Sequence, residues 1–252
     1  MSGADVIPVD IGIATDCDNP GVRNCKIKYG TDNMAKGPPM SREEAVRATE
    51  VGIHMVEELV TKGYNLFATG EMGIGNTTTS SAVCSVLLDQ PVEKVTGKGA
   101  GLTNKDLEHK IAVIKESIAL NQVDASDPLD VLSKVGGLDI AGLVGCFIGA
   151  AACRVPAFID GFISSVAALL AVRLAPQCDP YLFPSHCSNE PAGQMVLDAL
   201  GKQPYILANM CLGEGTGAVM GFTIADYAFK AYWELPSFEQ TNFGTYEDLS
   251  DK

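Results

Sequence analysis

The chain has 252 residues, 46% of them apolar, which is material for a continuous core in one large domain or a domain and a half and excludes a disordered chain. A formal charge of −13 excludes a broad nucleic-acid or anionic-membrane surface, because such surfaces need clustered Lys and Arg; a local phosphate pocket remains allowed. Eight cysteines without a C-x-x-C pair, several of them in apolar runs, read as reduced, buried thiols of a cytoplasmic protein.

Residues 5–13 read as a short strand, followed over 14–40 by a loop rich in Asp, Asn, Gly and Pro that ends in Gly37-Pro38-Pro39. A strand so close to residue 1 is odd for an intact domain and suggests a missing upstream segment, and no signal peptide is visible. Ser41-Arg42-Glu43-Glu44 is a capping box that starts a helix through about residue 62, where Gly63 ends it. Residues 64–69 form a brief strand, a glycine-rich turn follows, and 79–88 is helical, giving a β-loop-α unit.

Residues 104–121 form an amphipathic helix with Leu107, Ile111, Ile114 and Ile118 near one face, and 127–135 a short helix closed by Gly136-Gly137. The helix over 138–153 contains the longest uncharged apolar run, which falls short of the roughly 18 to 20 residues a membrane span needs and so belongs in a core. Strands over 155–159, 181–184 and 205–209 alternate with helices over 162–174 and 191–200. Short strands alternating with helices predict an α/β fold with a doubly wound, mostly parallel sheet flanked by helices, in which ligands bind at the carboxyl ends of the strands. The main domain is expected over 1–230, and 231–252 as a C-terminal extension with an acidic tail beyond Pro236.

Two glycine-dense turns, each with a carboxylate, fall at such strand ends. Gly70-Glu71-Met72-Gly73-Ile74-Gly75-Asn76-Thr77-Thr78-Thr79 sets glycines, an amide and hydroxyls before a helix, so its donors converge on an anion, or else it is a tight turn with a threonine N-cap. It is neither G-x-G-x-x-G nor a Walker A sequence, since no Lys follows the last glycine. Gly213-Glu214-Gly215-Thr216-Gly217 surrounds one carboxylate with glycines that permit close backbone approach; Glu214 is either an idle surface group or a proton acceptor beside a small ligand. The pair suggests one shared site.

Lys98, inside Gly97-Lys98-Gly99-Ala100-Gly101, and Lys110 are both candidates to neutralise a phosphate. Ser185-His186-Cys187-Ser188-Asn189-Glu190-Pro191 follows a predicted strand and offers donors, Ser188 among them, to a ribose or phosphate. Adjacent His186 and Cys187 diverge on a strand or turn and are not read as a nucleophile pair. Asp139 and Asp160 are read as caps or ligands alike, and three histidines without metal-ligand spacing predict no metal site.

Those turns and four further segments, Gly97-Lys98-Gly99-Ala100-Gly101-Leu102, Gly136-Gly137-Leu138-Asp139-Ile140-Ala141, Phe158-Ile159-Asp160-Gly161-Phe162-Ile163 and 185–191, occur in an order that closely resembles the nicotinate-nucleotide:dimethylbenzimidazole phosphoribosyltransferase family from about residue 5 to 230. The resemblance implies a Rossmann-like large domain with a small helical domain, here incomplete because the family's upstream segment is missing. It implies transfer of the phosphoribosyl group of nicotinate mononucleotide to a lower-ligand base such as 5,6-dimethylbenzimidazole, with inversion at C1′ and no cofactor or metal. By the same resemblance Glu214 is the general base, and Glu71, Gly73, Gly75, Asn76 and Thr77, with Lys110, Ser188, Gly213 and Gly215, bind substrate. A homodimer is implied, with no nucleic-acid or membrane partner. The alternatives are a truncated or partner-dependent nucleotide-binding module without turnover of its own, and a nucleotide hydrolase.

Overall fold

The computed structural model describes residues 2–241, so the expected acidic extension is described only as far as 241 and the rest of it lies outside the described residues. At the start, β1 (Val9–Asp10) pairs in parallel with β2 (Arg23–Asn24), away from the main sheet. The strand expected over 5–13 therefore shrinks to two residues, and the expected loop over 14–40 contributes its partner. The cause is local: Asp10 turns its carboxylate onto the Gly12 and Ile13 N–H groups and onto the Lys26 ammonium, 2.7 Å away, which bends the chain out of an extended path.

Helix α1 (Arg42–Thr61) begins with the expected box, Ser41 Oγ accepting from the Glu44 N–H at 3.0 Å and Glu44 Oε2 from the Ser41 N–H at 2.8 Å. β3 (Phe67–Ala68) leads through the first glycine turn into α2 (Asn76–Leu88). α2 starts three residues earlier than the threonine-cap reading predicts, because Gly75 sits at φ 81° and the left-handed turn there lets the helix begin at Asn76. Short α3 (Val92–Val95), α4 (Asn104–Asn121) and α5 (Pro128–Val135) follow, α4 capped by Thr103 with Asp106 and α5 by Asp127.

α6 (Leu138–Ala152) lies at the centre of the helical layer, against α1 and α7 (Phe162–Leu174). Its packing on α1 depends on glycine: a Cβ at Gly52 would stand 2.6 Å from the Cys146 nitrogen, and one at Gly145 2.8 Å from the Thr49 carbonyl carbon. The core around it holds Phe147, Ile140 and Val144 of α6, Leu169 and Leu170 of α7, Val83 of α2, Ile114 of α4 and Leu132 of α5, all buried. No described helix is long and apolar enough to cross a membrane.

β4 (Ala157–Ile159) pairs in parallel with β3 on one side and with β5 (Leu182–Pro184) on the other, the latter entered through a 3-10 turn over Pro176–Tyr181. β6 (His186–Ser188), read from the sequence as strand or turn, is a strand, and it pairs in parallel with β7 (Ile206–Met210). Ser185 joins the two ladders, its N–H donating to Ile159 O at 3.0 Å and its carbonyl accepting from Ile206 N at 2.9 Å. Every described pairing is parallel. Alternation gives this sheet two faces: Ala157, Ile159 and Leu182 enter the main core, whereas Phe158 and Phe183 point away from it, with Phe158 against Phe222 of α9 (Thr216–Glu234). α8 (Gly193–Ala199) packs on α7, and α10 (Phe238–Thr241) closes the described chain. The division expected after residue 230 falls within α9, which runs unbroken to Glu234.

Replacing Gly145 by Ala forces backbone apart at the α1–α6 crossing and is expected to destabilise the fold by about 1 to 3 kcal/mol or more. Gly142→Ala, whose added methyl meets only the movable Ile11 Cδ1 at 2.8 Å, is expected to cost less. Chemical denaturation of the two variants side by side measures the difference.

Candidate active site

Parallel pairing sends β3, β4, β6 and β7 to the same edge of the sheet, and each is followed by a turn into a helix. The two glycine turns meet there. A Cβ on Gly70 would lie 2.8 Å from both the Glu214 carbonyl carbon and the Gly215 nitrogen, so the backbones touch at a position only glycine permits. The caps of α2 and α9 share one geometry, Gly75 at φ 81°, ψ 6° and Gly215 at φ 82°, ψ 1°. Counting back from these caps sets Glu214 opposite Ile74, not opposite Glu71. The repeated Gly-Glu pair in the sequence is therefore not a repeated position in space.

Glu214 is exposed and sits at φ 58°, between Gly213 at 75° and Gly215 at 82°. Three successive left-handed residues are unusual, and the middle one carries a Cβ. What stabilises them lies directly after β4: the Asp160 carboxylate, 3% exposed, accepts from the Gly215 N–H at 3.0 Å and from the Ala218 N–H at 2.9 Å. Asp160 thus caps α9 from the turn that follows β4. Gly217, one residue into the same turn, leaves the space in which the His186 ring lies.

Glu71 is half-buried and accepts from Asn76 Nδ2 at 2.7 Å, while Asn76 Oδ1 accepts from the Thr77 N–H at 2.7 Å. Burial pushes the Glu71 carboxyl up to about 7; the Asn76 bond opposes this, and the negative charges of Asp139, Asp160 and Glu214 add to it. Asp139, in the first turn of α6, lies against Gly73, and burial raises its carboxyl also. Four carboxylates thus share one end of the sheet.

Positive charge enters at the start of α2. Lys110, only 7% exposed, donates to Thr77 Oγ1 at 2.9 Å and to Gly97 O at 3.0 Å. No described carboxylate lies within ion-pair distance of it, and burial pulls its ammonium below the ordinary value, with the Glu190 charge acting the other way. Lys98 is exposed and joins none of these contacts, so of the two candidate lysines only Lys110 reaches the first turn. Ser188 is half-buried beside Gly161, its Oγ accepting from the Glu190 N–H at 3.3 Å.

His186 and Cys187 do not form a pair. The His186 Nδ1 lies 2.9 Å from Ser185 Oγ, burial lowers the imidazole, and burial raises the Cys187 thiol, which is turned to Ser188 O. Among the described residues, no group of three or more His, Cys, Asp or Glu side chains is arranged to hold a metal ion. Sequence reasoning does not separate Asp160 from Asp139, the other acid at an element end. The signal that it matters is the Asp-Gly step directly after a buried strand and before a helix without its own cap residue.

A sequence profile of the family described as Phosphoribosyltransferase matches residues 1–243. The nicotinate-nucleotide–dimethylbenzimidazole phosphoribosyltransferase of Acetivibrio thermocellus is 54% identical over 246 residues, 98% of this chain and 70% of that protein. The enzyme of the same name from Clostridium acetobutylicum is 51% identical over 248 residues, again 98% and 70%. Among solved structures, CobT from Thermus thermophilus superposes with a TM-score of 0.89 at 33% identity, covering 94% of this chain and 71% of that one.

The raised Glu71 carboxyl has a consequence for stability. A carboxyl whose folded value lies above its ordinary 4.5 favours the fold only while protonated, so its contribution is full below 4.5 and is lost as pH rises through about 7. Glu71→Gln removes that loss. Between about pH 4.5 and pH 8 the unfolding temperature of the wild type is expected to fall relative to that of the variant, as thermal scans at matched pH would show; parallel curves would contradict it.

Proposed function

The chain belongs to the nicotinate-nucleotide–dimethylbenzimidazole phosphoribosyltransferase family, and from that premise we propose that it transfers the phosphoribosyl group of nicotinate mononucleotide to a benzimidazole-type base, giving an α-ribazole 5′-phosphate and nicotinate. One observation carries the reading: Glu214 stands on a left-handed glycine turn directly against the Gly70 turn, whose helix start holds the Lys110 ammonium.

The chemistry follows from the two charges. One ring nitrogen of the base directs its lone pair at C1′ on the face opposite nicotinate, and the new C–N bond forms as the old one breaks. The electron pair of the broken bond returns to the pyridinium nitrogen, so nicotinate leaves with its ring neutral and C1′ inverts from β to α. As the azole becomes cationic its remaining N–H turns acidic, and the Glu214 carboxylate takes that proton. The same carboxylate favours the positive charge that develops on the azole and the ribose.

At the other end of the nucleotide, the phosphate is assigned to the start of α2. Lys110 is bonded there only to the neutral Thr77 Oγ1 and Gly97 O, so its charge is available to an anion. Gly73, Gly75 and Gly213 allow close approach, Asn76, Thr77 and Ser188 offer polar atoms, and Glu71 faces the nucleotide side. All eight cysteines are unpaired, in keeping with a reducing compartment such as the cytoplasm.

The protein is assigned as a homodimer. α9 leaves Tyr227 69%, Tyr232 76% and Trp233 76% exposed, more aromatic surface than an isolated chain usually presents to water. A second reading has a specific observation behind it: Met72 78%, Ile74 99% and Leu212 71% stand uncovered around the two turns, as if the walls for a flat base were completed by another chain. On that reading the chain binds the nucleotide and turns over only with a partner.

Incubation with nicotinate mononucleotide and a mixture of benzimidazole, adenine and phenolic bases, resolved by mass spectrometry, is expected to yield a ribazole phosphate. Glu214→Gln is expected to bind the nucleotide as the wild type does and to lose about 10²- to 10⁴-fold in turnover. Undiminished turnover in that variant removes Glu214 from its role. Nucleotide binding by calorimetry without any product selects the partner-dependent reading, and nicotinate release without a ribazole selects a hydrolase. Light scattering is expected to return the mass of two chains.

A further inference from the structure

Glu214 occupies a conformation that a residue with a Cβ avoids, since left-handed backbone costs such residues roughly 1 to 2 kcal/mol. It persists where neighbouring contacts over-determine it. Thr216 closes the turn from within, its N–H and Oγ1 donating to Gly213 O at 3.1 and 2.7 Å, and one buried side chain, Asp160, ties it to the sheet. Asp160 Oδ2 accepts from the amide directly after Glu214, and Oδ1 accepts from the amide of Ala218 in the first turn of α9. Together they fix the exit of the left-handed run.

Asp160 is itself held. Its N–H donates to Ser164 Oγ at 3.0 Å, and that oxygen lies 2.7 Å from Thr69 Oγ1, which donates to Phe158 O at 3.1 Å. Thr69, Asp160 and Ser164 are 5%, 3% and 3% exposed, so this link is screened from water. Thr69 also lies directly beneath the turn, since a Cβ on Gly215 would stand 3.2 Å from its carbonyl oxygen. A continuous set of bonds therefore runs from β3 and β4 to the peptide that follows Glu214.

We propose that Asp160 is the positioning residue for the proton acceptor, holding the Gly213–Gly215 turn so that the Glu214 carboxylate stays over the site. The proposal rests on the reading of Glu214 as the base. Asp160 touches no reacting atom. Its carboxylate satisfies two amides of α9 that would otherwise compete for other acceptors, and without it nothing on β4 opposes relaxation of the turn. Displacement of a reacting group by about 1 Å costs on the order of 10²-fold in rate, while the phosphate end, built on α2 and α4, lies on other elements.

The test is a double-mutant cycle of Asp160→Asn and Glu214→Gln in the full chain, with kcat and the KM for nicotinate mononucleotide measured by product mass and folding checked by thermal unfolding. Asparagine turns one acceptor into a donor facing an N–H. Asp160→Asn is expected to lower kcat about 10- to 100-fold and to leave KM within about twofold. In the Glu214→Gln background the same change is expected to cost less than about twofold, because no carboxylate remains to be misplaced. Equal losses in both backgrounds, a rise in KM matching the fall in kcat, or full activity in Asp160→Asn would overturn the proposal while leaving the base assignment standing. Full activity in Glu214→Gln would sink that assignment instead.

Should Asp160→Asn not fold, Ser164→Ala removes the hydroxyl that holds the Asp160 backbone and leaves its carboxylate intact. A kcat loss of about 3- to 10-fold that disappears with Glu214→Gln supports the proposal. A loss that persists there, or no loss at all, overturns it.

Discussion

The constraint on which the site depends is the contact between two backbones, Gly70 on one side and Glu214 with Gly215 on the other. Two turns can meet this way only if the strands before them run in the same direction and end at the same level. The parallel sheet supplies both conditions, with β4 as the spacer between β3 and the extended segment 182–188. The helical layer then fixes the level: α6 and α1 approach through Gly52 and Gly145, which brings the first turn of α6, and with it Asp139, up to Gly73. Packing in the core and geometry at the sheet edge are one problem, solved by absence of side chains at a few positions.

Charge at that edge is distributed unevenly. Asp160 is buried and accepts from two amides; Glu71 has one amide partner and three carboxylates around it, and burial raises its carboxyl. Lys110 stands on the far side of α2's first turn with neutral oxygens only. Carboxylates therefore flank both turns, Glu71 and Asp139 at the first and Asp160 and Glu214 at the second, while the Lys110 ammonium lies at the start of α2; the nucleotide proposed to bind here carries a cationic ring at one end and a phosphate at the other.

Much of this is legible in the sequence. The capping box at Ser41, the run of helices and the strands at 155–159, 181–184 and 205–209 follow from local patterning, and β4, β5 and β7 lie where those strands are expected. What is not legible has physical causes. The polar residues 186–188 become a strand through pairing with β7, His186 with Ile206 and Ser188 with Met210, and no local signal reports that pairing. The left-handed Gly75 moves the start of α2 forward past its threonines, so a cap inferred from hydroxyls points at the wrong residue. Asp160 is visible as an acid at a strand end, but its partners lie 55 and 58 residues away. Likewise the sequence repeats Gly-Glu twice, and only the cap geometry reveals that Ile74, not Glu71, is the counterpart of Glu214.

That mismatch between two nearly identical turns gives the site a sense of direction. Both helices begin at a glycine with the same dihedral angles, and a ligand that saw only the backbone could lie across them either way round. The side chains remove the ambiguity: one helix start is already plugged by a buried acid, and the other has an ammonium beside it. For the phosphate proposed to bind here, the start of α2 offers a cation in Lys110, whereas at the start of α9 two amides are already taken by Asp160. On the proposed reading, the head-to-tail sense of the nucleotide follows from which of the two helix starts still has donors to give.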